Sequence, residues 1–178
     1  ALFGVAFSVI LVNIQGGLFL GLVAKSGLLV DLSRADIWVG HRDMHNVDFP
    51  RDIPRRWGHR IDAIAGVHHV EPLLIGFSQT TLPGGGFEGV TVVGAPRQSR
   101  LAIAWNQKGM ARDAILRTDG VVVDAFDDDK LLSPRVGELR EIGGRRARIV
   151  AKSHGLMGFL VTPYVFTTYD RAAAFLKR

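Results

Sequence analysis

The chain has no cysteine among its 178 residues. Disulfide staples and thiolate metal sites are therefore excluded, while the redox compartment stays open. A serine-hydrolase elbow, G-x-S-x-G, is also missing. Gly84-Gly85-Gly86 is followed by a strand pattern and by no Lys-Ser or Lys-Thr pair, so it reads as a hairpin turn and no nucleotide phosphate loop is encoded. Internal repeats and low-complexity segments are absent. One further absence is local. From Ala1 to Ala24 there is no charged side chain, and polarity is broken only by Ser8, Asn13 and Gln15.

That uncharged stretch organises the rest. At helical rise it spans about 36 Å, against roughly 30 Å of bilayer hydrocarbon. The remainder, from Lys25 on, has the composition of a soluble domain of about 150 residues. A membrane helix is the favoured reading. A cleaved signal peptide fits less well, because a basic n-region and a small-x-small site are lacking. A core helix would need protein on every side. The first residue is not Met, and more chain is expected upstream. Asn13, Gln15, Gly16, Gly17 and Gly21 suit contact with partner helices, or are polarity tolerated in a single anchor.

The helical stripe runs past the membrane through Leu22, Leu29 and Leu32, with Lys25, Asp31 and Arg34 elsewhere. This predicts a stalk helix to about Arg34, weakened at Gly27. Ile37–Gly40 reads as a short strand and 41–54 as a loop. A helix comes next, with Asp52 as cap, Pro54 in the first turn and Gly66 at its end. Trp57, Ile61 and Ile64 share one face, predicted to be buried and to fix that helix. With a strand from Val67 this makes a β-α-β unit. Strands are then expected up to Leu82, around Val90 and Val92, over Leu101–Trp105, at Val121–Val123, and on both sides of Gly143-Gly144. A short helix is expected over Lys108–Leu116, a helical turn capped by Asp124 through Leu132, an extension over Phe159–Thr168 and a last helix, capped by Asp170, over Arg171–Lys177. The fold class is α+β: an N-terminal transmembrane and stalk helix, then a domain with a β-α-β part and a strand-rich insertion.

The candidates for chemistry are weak. His41 and His45 with Asp43 sit in a loop rather than on a helix face, and His68 and His69 point to opposite sides of a strand. Asp127-Asp128-Asp129 lacks the spaced oxygens of a calcium loop and suits a helix start. The formal charge of +5 raises nucleic-acid binding. The basic residues come in short pairs (Arg55–Arg56, Arg145–Arg146), however, and Trp38, Trp57 and Trp105 sit in apolar runs or on a face expected to be buried, so a solvated basic surface is favoured.

Several stretches, taken in order, resemble the DevC family of ABC transporter permeases. They are Leu18-Phe19-Leu20-Gly21-Leu22, Leu29-Val30-Asp31, Ala35-Asp36-Ile37-Trp38-Val39, Gly66-Val67, Val93-Gly94 and Gly120-Val121-Val122-Val123-Asp124. The Ala35–Val39 stretch is the most specific, and the resemblance covers nearly the whole chain. It is similar to the wider MacB type and its FtsX-like core. The resemblance implies transmembrane helix 1 over 1–24, a stalk over 25–34, and a periplasmic core domain over 35–178. Within that core it implies a porter-like β-α-β part (35–75), a strand-rich insertion (76–158) and the start of a second porter-like part (159–178). It also implies a place in the bacterial inner membrane and further chain beyond Arg178. The implied partners are a cytoplasmic ATPase subunit, a periplasmic membrane-fusion adaptor, an outer-membrane channel, membrane lipid and a second copy, and no nucleic acid. The cargo would be an exported lipid, glycolipid or other amphiphile.

No cofactor, metal or catalytic residue is expected on this chain, and the ATPase is expected on a partner. The expected functional residues are mechanical: Leu22, Leu29 and Leu32 along the stalk, and Trp57, Ile61 and Ile64 in the first helix. The alternatives are a membrane-anchored binding or sensor domain without transport, and a soluble enzyme.

Overall fold

The computed structural model describes residues 2–99, 101, 114–116, 119–156, 158 and 162–178. The uncharged start forms helix α1 (Leu2–Ser26), and the apolar helical stretch Leu2–Asp31 is long and apolar enough to cross a membrane, with none of its most apolar window buried. The core-helix alternative therefore does not hold. Two of its polar groups are satisfied inside the helix: Ser8 Oγ donates to the Gly4 carbonyl at 2.9 Å and the Asn13 amide to the Val9 carbonyl at 2.7 Å. That back-bonding offsets part of the cost of placing them among apolar residues.

The stalk is not one uninterrupted rod. The helix breaks at Gly27 and resumes as α2 (Leu28–Ser33), which ends where Arg34 turns left-handed at φ 56°. Leu22 is half-buried and Leu29 is buried; the side chain of Leu32 lies outside the described residues.

The segment 35–73 departs most from the sequence expectation. Ile37–Gly40 forms no strand, and neither does 67–73, so the porter-like β-α-β unit expected over 35–75 is not formed. A strand exists only through a neighbour's hydrogen bonds, and none lies alongside among the described residues. Helix α3 is short (Arg56–Asp62) and has no buried residue. The face expected to fix it is open: Trp57 is 42% exposed, Ile64 56%, and Ile61 half-buried. The face is thus only partly covered by the described residues. Asp52 caps nothing, because its carboxylate instead accepts from Arg178 Nη1.

The strands close into a six-stranded barrel. They are β1 (Leu74–Thr81), β2 (Phe87–Ala95), β3 (Gly120–Asp124), β4 (Leu139–Ile142), β5 (Arg145–Ser153) and β6 (Tyr164–Thr168), in the order β1-β2-β6-β3-β5-β4. The β2–β6 and β3–β5 pairs are parallel and the rest antiparallel; Thr80 opposite Ile142 closes the ring. Glycines make both hairpins. Gly84 and Gly85 carry φ of 93° between β1 and β2, and Gly143 and Gly144 carry φ of 58° and 77° between β4 and β5, a region open to glycine at no steric cost.

Because side chains alternate along a strand, each of β2, β3 and β6 feeds two cores. Val90, Val92, Val121, Val123, Ile142, Ile149 and Val165 share the inner cluster with Phe175 of α4 (Tyr169–Phe175). Val93, Val122, Tyr164 and Phe166 face the outer cluster. Gly94 lets α4 sit against β2, since a Cβ there would lie 2.1 Å from that of Ala172. Arg140 lies across the strands near the ring closure, donating to the Thr81 and Leu131 carbonyls and to Glu138.

The expected division at 158/159 is therefore corrected. β6 lies inside the barrel order and α4 packs on it, so 164–178 belong with the strand-rich part, and β1 crosses the 75/76 boundary. The turn after Asp124 is a three-residue 3₁₀ segment (Ala125–Asp127), short of the expected run through Leu132. The last helix starts at Tyr169, and Thr168, not Asp170, occupies its cap position. The strand expected over Leu101–Trp105 and the helix over Lys108–Leu116 fall mostly outside the described residues, as does the start of the Phe159–Thr168 extension.

Candidate functional site: the stalk–barrel junction

The buried end of the stalk marks the site. Leu29 is 3% exposed and belongs to the outer cluster with Leu156, Tyr164 and Phe166 of the barrel, while Trp38 and Val47 pack against the same cluster. Burying such a leucine is worth about 1.5–3 kcal/mol. Ser33 Oγ, on the last residue of α2, accepts from Trp38 Nε1 at 3.0 Å and from the Ala35 amide at 3.1 Å. The chain leaving the stalk is thereby folded back so that Trp38 joins the seat. Ile37 and Val39, its neighbours, stay exposed. On the other side Lys25 Nζ donates to the Gly155 carbonyl at 3.4 Å.

The loop that carries Gly155 and Leu156 is held by one carboxylate. Asp124, fully buried at the end of β3, accepts four hydrogen bonds. Phe126 N–H (2.9 Å) and Gly155 N–H (3.1 Å) reach Oδ1; Ser153 Oγ–H (2.8 Å) and Leu156 N–H (3.0 Å) reach Oδ2. A buried carboxylate saturated by donors ties its elements firmly. The sequence suggested only a cap, and that is one of the four bonds. A second buried tie joins the 35–73 segment, a strap between stalk and barrel, to β6: Tyr164 Oη–H donates to Asp48. Burial, then that bond and the Asp48 charge, push the Tyr164 phenol well above its ordinary pKa. Asp48 had no sequence signal, because its partner lies 116 residues away.

Asp127 is buried close by. Burial, reinforced by the Asp124 charge and opposed by Lys130 at 3.7 Å, pushes its carboxyl up to about 6. Asp128 is paired with Lys152 at 2.6 Å. Two of the three acids in the run are thus spent on internal pairs. Among the described residues no group of three or more His, Cys, Asp and Glu side chains could hold a metal. His41 lies 3.6 Å from Asp43, and His69 lies 3.1 Å from Glu71. The junction ties the end of the stalk to the barrel through Leu29, Lys25 and the Asp124-held loop.

No protein-family model and no curated protein matches the chain. Solved structures do. The extracellular domain of the noncanonic ABC-type transporter YknZ from Gram-positive bacteria superposes with a TM-score of 0.51 at 10% identity, over 71% of this chain and 67% of that one. The periplasmic region of MacB from Actinobacillus actinomycetemcomitans gives 0.48 at 12% identity, over 68% of this chain and 57% of that one. The fold is shared with the extracellular domain of YknZ. An apolar helix thus leads directly into a domain whose structural neighbours belong to ABC-type transporters. The chain spans little more than half of the MacB region.

Proposed function

We propose that this chain is part of the permease of a DevC-like ABC-type exporter in the bacterial inner membrane, with the residues after the stalk in the periplasm. Nucleotide-driven closure on a cytoplasmic ATPase subunit moves α1. The stalk passes that motion to the barrel, which works with a periplasmic adaptor and an outer-membrane channel to expel a lipid, glycolipid or similar amphiphile. One observation supports this above the others: an apolar helix with none of its most apolar window buried leads into α2, whose Leu29 is buried against the barrel domain. Leu22, Leu29 and Leu32 are the proposed lever residues. The open face of Trp57, Ile61 and Ile64 is proposed to be covered in the assembled permease.

The test uses the full-length protein reconstituted with its ATPase. Leu29→Pro is a poor probe, because Leu29 is the second residue of α2, where proline is tolerated. Leu29→Ala empties the seat, and two glycines inserted after Gly27 soften the joint. Both variants should keep ATP hydrolysis and lose transport. Transport at the unaltered rate in both would refute the lever.

A further inference from the structure

A second feature lies where the β4–β5 turn approaches α4. A cleft of about 250 Å³ opens there, lined by Asp119, Arg145, Arg146, Arg171, Ala174 and Phe175. Gly143 and Gly144, both at positive φ, fix the turn that presents Arg145 and Arg146 to solvent. Arg171 is pinned from behind, its Nη1 donating to the Ile115 carbonyl at 2.5 Å and the Gly120 carbonyl at 3.0 Å. Asp119 is buried and is shared between Arg146 at 3.1 Å and Arg148 at 3.6 Å. Burial, and next the neighbouring Arg97 charge, lower the Arg171 pKa, so a second cation is felt here. Among the described residues, the lining of the cleft sets one carboxylate against three guanidinium groups.

We propose that this cleft binds a phosphate group, with Arg145 and Arg146 as the contacting forks and Arg171 as a fixed positive charge beneath them. Guanidinium groups match phosphate oxygens in pairs, and an excess of cations in a concave site favours an anion over water. Asp119 competes with the ligand for Arg146. The cleft exceeds the size of a free phosphate, and Ala174 and Phe175 add apolar lining, as a phospholipid headgroup would need. The physiological identity of the ligand as exported cargo rests on the export reading; the binding itself does not.

The experiment is calorimetric titration of the whole chain in a neutral detergent, with no ATPase present. Three probes are used: inorganic phosphate, dihexanoyl phosphatidic acid and dihexanoyl phosphatidylcholine. Phosphatidic acid or phosphate should bind. The double variant Arg145→Gln/Arg146→Gln, at exposed positions, should bind on the order of tenfold more weakly, and Asp119→Asn should bind more tightly. Phosphatidic acid binding more tightly than phosphate identifies a lipid headgroup; equal affinities identify a free phosphate. Binding to neither, or unchanged affinity in the double variant, overturns the proposal while leaving the lever test standing.

Discussion

Asp124 supports a graded test, because its two oxygens carry different partners. In Asp124→Asn one oxygen becomes an amide that cannot accept. With the amide nitrogen at the Oδ1 position, the Phe126 and Gly155 N–H groups both lose their acceptor. At the Oδ2 position only the Leu156 N–H does, since the Ser153 hydroxyl can rotate and accept instead. The second arrangement wins, and one buried donor is stranded at a cost of about 1–3 kcal/mol. Asp124→Ala strands three backbone donors. Two are partly buried and recover water, and Ser153 retains the Val123 carbonyl at 3.5 Å. The alanine variant should therefore lose about 3–5 kcal/mol, a large share of the roughly 5–15 kcal/mol of an ordinary domain. Urea unfolding followed by near-ultraviolet circular dichroism measures the two losses. Amide hydrogen exchange at Gly155 and Leu156 localises them: both amides should exchange faster in the alanine variant, and Leu156 more than Gly155 in the asparagine variant. Equal losses in the two variants, or losses under about 0.5 kcal/mol in both, would refute the role given to Asp124.

The remaining predictions concern other parts of the chain. Gly94→Ala puts a methyl 2.1 Å from the Ala172 Cβ and 3.3 Å from the Thr168 carbonyl oxygen, so α4 must shift; a loss of about 1–3 kcal/mol is expected in the same unfolding assay, and a neutral result would contradict the packing of α4 on β2. The Asp127 carboxyl, raised from 3.8 to about 6, is protonated more readily in the folded state; its contribution to stability therefore grows as pH falls through 6 and is complete below about 4. Asp127→Asn mimics the protonated acid, so its stability at pH 8 relative to pH 4.5 should rise by about 1–3 kcal/mol against the parent, and an unchanged pH profile would remove the buried charge from the account. Since nearly every described residue of α1 is exposed, a chain beginning at Lys25 should unfold within about 0.5 kcal/mol of the intact protein and stay in solution without detergent. Precipitation of that shorter chain would show α1 to be part of the core.

Features set by local chemistry were legible in the sequence. Gly84-Gly85 and Gly143-Gly144 announce turns because few residues other than glycine adopt their φ values, and the uncharged start announces a helix that avoids water. The β-α-β unit was misread for a physical reason. Alternation in Ile37–Val39 records which side chain is buried, and Trp38 is indeed turned inward, but a ladder needs a partner strand that alternation does not reveal. The Trp57, Ile61 and Ile64 stripe has the period of a buried face but is only partly covered by the described residues. Placing β6 between β2 and β3 required pairing Val92 with Val165, and no local pattern carries so distant a contact. At the junction, Leu29 was legible as an apolar stripe position. The donors gathered by Asp124 and the Asp48–Tyr164 bond were not, because each is made by tertiary proximity alone.

Where a push from α1 would be absorbed depends on how unevenly the domain is packed. Among the described residues the barrel is closed, three of its strands are largely buried on both faces, and α4 packs against it, an arrangement that favours movement as one body. By contrast, Asp48 is the one buried residue in the segment 35–73. On the proposed lever, force entering at α2 would meet the barrel through Leu29 and the Asp124-held loop, and the strap through Ser33 and Trp38. The strap has few buried contacts to resist, so it should deform first while the barrel turns about the Leu29 seat. A strap held rigid would split the load and shorten the barrel's excursion. If the proposed lever holds, loose packing between α2 and β1 serves the transmission, and tightening it, for example by cross-linking α3 to the barrel, should slow transport without touching ATP hydrolysis.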